Sequence, residues 1–96
     1  MRVEKAPDGA LRGAGDWDRA RAEIEALLAE TAAEIRAYPL PIPACDAQFN
    51  YLLDLRRGLP EELRRLETLR RDATLNVADF LASSPFGPEL AQRILK

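Results

Sequence analysis

The chain has one thiol, Cys45, and it stands beside a carboxylate at a helix start, in the stretch "YPLPIPACDAQFNYLL" over residues 38–53. A thiol at a helix N-terminus can lose its proton easily. Here the adjacent Asp46 opposes that effect, and the chain contains no histidine to act as its base. Cys45 therefore reads as a small packing residue. The absence of histidine also removes the commonest general base and metal ligand. A single cysteine allows neither an internal disulfide nor a cysteine-based zinc site. Glu30 and Glu34 form an i,i+4 acidic pair, but a divalent cation needs further converging ligands. No glycine-rich phosphate loop or activated hydroxyl is present. The expectation is a protein that is not an enzyme and has no cofactor and no metal.

Charge is the next source of chemistry. Residues 16–36 carry six acids and three arginines, a net of −3, whereas residues 56–71 carry six arginines and three glutamates, a net of +3. The arginines come in adjacent pairs, Arg56/Arg57, Arg64/Arg65 and Arg70/Arg71. Adjacent residues point about 100° apart on a helix, so the pairs do not make one stripe. Mutual complementarity between the acidic and basic segments is the favoured reading. The alternative is a nucleic-acid-associated protein that uses the arginine-rich segment 56–71. The overall formal charge of −2 argues against that alternative. Tyr51 is the one aromatic near these arginines in sequence, too little for a base-stacking platform.

The segment "FLASSPFGPELAQRIL", residues 80–95, resembles a degenerate helix–hairpin–helix motif. In that family a glycine hairpin offers backbone amides to a DNA phosphate. Phe86, Gly87, Pro88, Ala91 and Ile94 stand at matching positions. Pro85 stands where the family has its first glycine and lacks an amide donor, and Ser83 stands where an apolar residue is usual. The resemblance covers about 16 residues and implies phosphate contact only through what those departures leave.

These residues need elements to hold them. Ninety-six residues make one domain. Ala, Leu, Arg and Glu dominate, which favours helices, and β-branched residues are few. The expected fold is all-α: a small bundle of three main helices plus a short C-terminal helix. Residues 1–15 read as a flexible N-terminal tail and 16–96 as the domain. Asp16 is the expected N-cap of a first helix over 16–37, with the stripe Trp17, Ala20, Ile24, Leu27, Leu28, Thr31 and Ile35. Arg19–Glu23 and Arg21–Glu25 are expected i,i+4 pairs. Pro39 ends the helix at Tyr38.

Asp46 is expected to cap a second helix over 47–57. "RRGLPEEL" then reads as a stop and restart: Gly58 in a left-handed cap, Leu59 folding back, Pro60 opening a third helix over 60–82. That predicts a tight αα-hairpin at Gly58–Pro60, with a bend near Asp72. A last helix is expected over 88–96.

No apolar run reaches membrane-span length, and the N-terminus has no signal-peptide core, so a cytoplasmic location is expected. Helix two carries apolar residues on more than one stripe. This suggests a core completed against another chain, as in a protein-interaction or accessory protein or a homodimer. The candidate partner-binding residues are Tyr38, Leu40 and Ile42 on the proline ridge, Phe49 and Tyr51 on helix two, and Arg64, Arg65, Arg70 and Arg71.

Overall fold

A computed structural model describes residues 13–39 and 46–95, and these form four helices and no strand. α1 spans Ala14–Ala37, α2 Ala47–Leu69, α3 Val77–Ala82 and α4 Gly87–Ile94. The body measures 45 × 32 × 19 Å, about two helical layers deep. α1 and α2 lie antiparallel: Asp18 and Arg21 meet Arg70 and Glu67 at one end, and Tyr38 meets Phe49 at the other. α3 and α4 fold back over one face of this pair. Of the expected tail over 1–15, Ala14 and Gly15 instead belong to α1, while residues 1–12 and the ridge residues Leu40 and Ile42, with Cys45, lie outside the described residues.

α1 follows its expected stripe. Trp17, Ala20, Ile24 and Thr31 are buried, and Leu27 and Leu28 pack against the core. Trp17 meets Phe80 of α3 edge to face, with ring centroids 6.4 Å apart. The helix begins two residues before the expected start. Gly13 is its N-cap, and Asp16 acts from inside the first turn by accepting the Gly13 N–H at 3.1 Å. Tyr38 leaves the helix in an extended conformation, φ −68° and ψ 134°, as a residue before proline must.

The expected hairpin at Gly58–Pro60 is absent: α2 runs unbroken from Ala47 to Leu69 with Pro60 inside it. The reason is the leucine stripe. Leu52, Leu55, Leu59 and Leu66 are all nearly or fully buried on one side of the helix. Turning at Gly58 would have divided that stripe. Burying each leucine is worth about 1.5–3 kcal/mol, against about 3 kcal/mol for one interior proline. Gly58 is helical for a packing reason. A Cβ there would stand 2.6 Å from the Phe86 ring, so the missing side chain makes room for the α3–α4 return.

The chain breaks over residues 70–76, around the bend expected near Asp72. Asp72 accepts both the backbone N–H and the hydroxyl of Thr74, at 2.9 and 2.6 Å. Asn76 and Asp79 then form a reciprocal capping box that opens α3. The expected third helix over 60–82 is thus the second half of α2, a turn, and α3. Val77, Phe80, Leu90 and Ile94 are fully buried and close the core.

Two glycines test this packing. A Cβ on Gly87 would come 2.4 Å from the Leu81 carbonyl oxygen, which is backbone and cannot swing away. Gly87→Ala should destabilise by about 1–3 kcal/mol. Gly58→Ala should cost less, because the half-buried Phe86 ring can shift and alanine favours the helix. Urea melts of both variants check the order; a larger loss at Gly58 would contradict it.

Candidate functional site

The candidate arginines do not form one surface. Arg65 is part of the architecture. It binds Glu62 at 2.9 Å, the Phe80 carbonyl at 3.0 Å and the Ser83 hydroxyl at 2.7 Å, and its guanidinium lies 4.5 Å from the Phe80 ring centroid. Glu62 is 6% exposed, so this arginine neutralises a buried carboxylate and ties α2 to the C-terminus of α3. Arg70 reaches α1, binding Asp18 at 2.8 Å with Glu67 at 3.7 Å. Asp18 holds the Arg70 guanidinium above its ordinary pKa through that hydrogen bond. Arg64 is exposed and pairs with Glu61 on its own helix. Arg71 is exposed and makes no ion pair with any described residue.

Complementarity between the two segments therefore rests on Arg70–Asp18 and on the reverse pair Arg21–Glu67 at 3.5 Å. Glu67 Oε2 is out of water, too far from Arg21 and Arg70 for hydrogen bonds yet close enough to share their charge. The strongest clamp on α1 was not expected from the sequence. Arg93 of α4 grips Glu30 with both terminal nitrogens, at 3.0 and 2.7 Å, and Glu23 through Nε at 3.1 Å. Those glutamates are seven residues apart, two helical turns on one flank. Hydrogen bonding to Arg93 holds the Glu30 carboxyl below its ordinary range. Arg21–Glu25 forms as expected at 3.3 Å, but Arg19 instead donates to the Ile94 carbonyl at the end of α4.

Tyr38 and Phe49 come together, with ring centroids 5.0 Å apart. Asp46 joins them: one carboxylate oxygen accepts the Tyr38 hydroxyl at 2.7 Å and the Phe49 N–H at 2.9 Å. Tyr51 faces the other flank of α2 and donates to Glu89 of α4 at 3.0 Å. The aromatic candidates thus split between two flanks.

The helix–hairpin–helix resemblance meets a real turn between α3 and α4, but its amides are engaged. Phe86 N–H bonds the Ser84 hydroxyl and Gly87 N–H bonds the Ser84 carbonyl, both at 3.1 Å. Gly87 is buried, and Glu89 places a carboxylate in the first turn of α4. That arrangement leaves little for a phosphate. Among the described residues no cluster of three or more His, Cys, Asp or Glu could hold a metal, and no helix is long and apolar enough to cross a membrane.

Among the described residues, α3 and α4 meet the α1–α2 pair on one flank. The Glu23, Glu30, Tyr51, Gly58 and Arg65 flank meets α3 and α4. Elsewhere on α1 and α2, Leu28, Ala32, Phe49, Leu53 and Leu63 are only half-buried, Leu28 and Leu63 packing at the edge of the core. An open groove of about 370 Å³ runs there between Arg21, Glu25, Leu63, Arg64, Glu67 and Thr68. No protein family, curated protein or solved structure matches the chain.

The contrast between adjacent arginines is measurable. Arg65→Ala leaves Glu62 buried without its partner and should cost about 2–4 kcal/mol. Arg64→Ala should stay within about 0.5 kcal/mol, as an exposed side chain does. Equal denaturation midpoints for the two variants would show that Arg65 is not a clamp.

A second measurement concerns acid. Asp46 is held below its ordinary 3.8, first by the Phe49 N–H and then by the Tyr38 hydroxyl. Its folded pKa lies below its unfolded one, so its stabilisation is present above 3.8 and is lost as pH falls through the folded value. Asp46→Asn keeps an acceptor for the cap without the charge. The melting temperatures of wild type and Asp46→Asn should differ at neutral pH and converge below 3.8. A gap that persists unchanged into acid would remove Asp46 from that role.

Proposed function

We propose that this chain is a small helical protein-interaction or accessory protein without catalytic activity, one that completes its core against another polypeptide. The observation that carries this reading is the set of apolar side chains on α1 and α2, Leu28, Ala32, Phe49, Leu53 and Leu63, that the described residues bury only in part. Where such side chains join into one patch, that patch marks a contact surface.

The nucleic-acid reading has less behind it. Arg65 and Arg70 are committed to Glu62, Phe80, Ser83 and Asp18, and the α3–α4 turn spends its amides on Ser84. Arg64 and Arg71 remain exposed, and they are the pair to reverse without disturbing the core.

Two experiments decide between the readings. A photoreactive side chain at position 53 should give a discrete protein adduct in cells, and its absence would count against the proposal. RNA and DNA titrations of the wild type should show no saturable binding at physiological salt. A complex that weakens steeply with salt and disappears in Arg64→Glu/Arg71→Glu would replace this reading with the nucleic-acid one.

A further inference from the structure

We infer that the outward line of α2 is a self-recognition surface, on which a second copy of this chain docks antiparallel. The inference rests on the reading that the chain works by protein contact, and it adds a charged contact line with its own partner. Asp54, Arg57, Glu61 and Arg64 are exposed, with side-chain accessibilities of 66, 75, 68 and 68%. Spacings of three, four and three residues hold them on one line of a continuous helix. The line exists because α2 passes through Gly58 and Pro60; a turn there would have put the two halves on different helices.

The signs along the line alternate: minus, plus, minus, plus. Read backwards, the order is plus, minus, plus, minus. An antiparallel copy centred on Leu59 therefore sets Asp54 against Arg64 and Arg57 against Glu61, and two-fold symmetry repeats each pair. A parallel copy in register sets like charge against like. Within each helix the same groups form i,i+3 pairs, Asp54–Arg57 at 3.5 Å and Glu61–Arg64. These exposed pairs can be bridged across the two-fold without burying an unpaired charge. Pro60, half-buried beside the line, falls next to its own copy and adds an apolar contact. The line carries no net charge, which suits its own image better than a polyphosphate. The attraction is between surface charges, so association is weak and falls with salt.

The test is a charge-swap complementation on the full chain. Arg57→Glu/Arg64→Glu makes the line wholly acidic, and Asp54→Lys/Glu61→Lys makes it wholly basic. Sedimentation equilibrium should show a salt-sensitive monomer–dimer equilibrium for wild type. The dissociation constant should rise about tenfold or more in either variant alone. An equimolar mixture of the two variants should restore dimers. Circular dichroism melts confirm that each variant is folded; if either is not, Glu61→Gln and Arg64→Gln probe the same pairs more gently and should each weaken association. Self-association that persists at wild-type strength in both variants would overturn this surface and leave the protein-contact reading standing. A wild type that stays monomeric at all concentrations would overturn the second copy as partner, and the cross-link at position 53 would then stand as the separate test of the broader reading. A mixture that fails to recover would also overturn the antiparallel pairing.

Discussion

The close seating of the α3–α4 return on α2 organises the arrangement: the Phe86 ring fills the space a side chain at Gly58 would need, at 2.6 Å, and would have to shift to admit one. Because that space is open, the α3–α4 return can reach the middle of α2, and Val77, Phe80, Leu90 and Ile94 come to lie on the leucine stripe and on Ala20 and Ile24. Arg65 then finds the C-terminus of α3 within reach, and Tyr51 finds Glu89. Arg93 meets Glu23 and Glu30 on α1. The polar clamps are consequences of an apolar docking, and they fix its register more than they drive it.

The sequence showed the helical stripes clearly and the punctuation poorly. The Trp17–Ala20–Ile24–Thr31 spacing, the Asp46 cap and the Pro39 stop are local signals, and the structure keeps them. Gly58–Leu59–Pro60 is also a local signal, but a longer-range demand overrode it. Four buried leucines on one line outweigh one interior proline and one glycine. The chain does break in "DATLN", at the bend expected near Asp72 but as a full stop and restart: Asp72 bonds Thr74, and Asn76 pairs with Asp79. An Asn followed three residues later by an acid is a capping signal that a search for proline and glycine passes over.

The candidate site was legible only in part. The opposite net charges of the two segments correspond to one contact, Arg70–Asp18, whereas Arg21–Glu67 pairs each segment's minority charge. Which arginine does what is not a one-dimensional property. Arg64 and Arg65 are neighbours in sequence, yet one faces water and the other a buried glutamate, because 100° of helical rotation separates them. Arg93 carries no local signal in the sequence; the fold brings to it the two glutamates, 63 and 70 positions away, that receive it.

The α1–α4 seam also bears on how the chain reaches this state. Its bonds join residues 63 to 75 positions apart in sequence, far more than the helical turns around them. An all-helical domain of local contacts assembles quickly, but long-range pairings wait on the closure of a long loop. The α1–α2 pair can zip together first, with Ile24, Leu55 and Leu59 still open on the side awaiting α4. Until the last helix arrives, that side is a sticky apolar surface, and the interval before closure is when the chain is most exposed to aggregation.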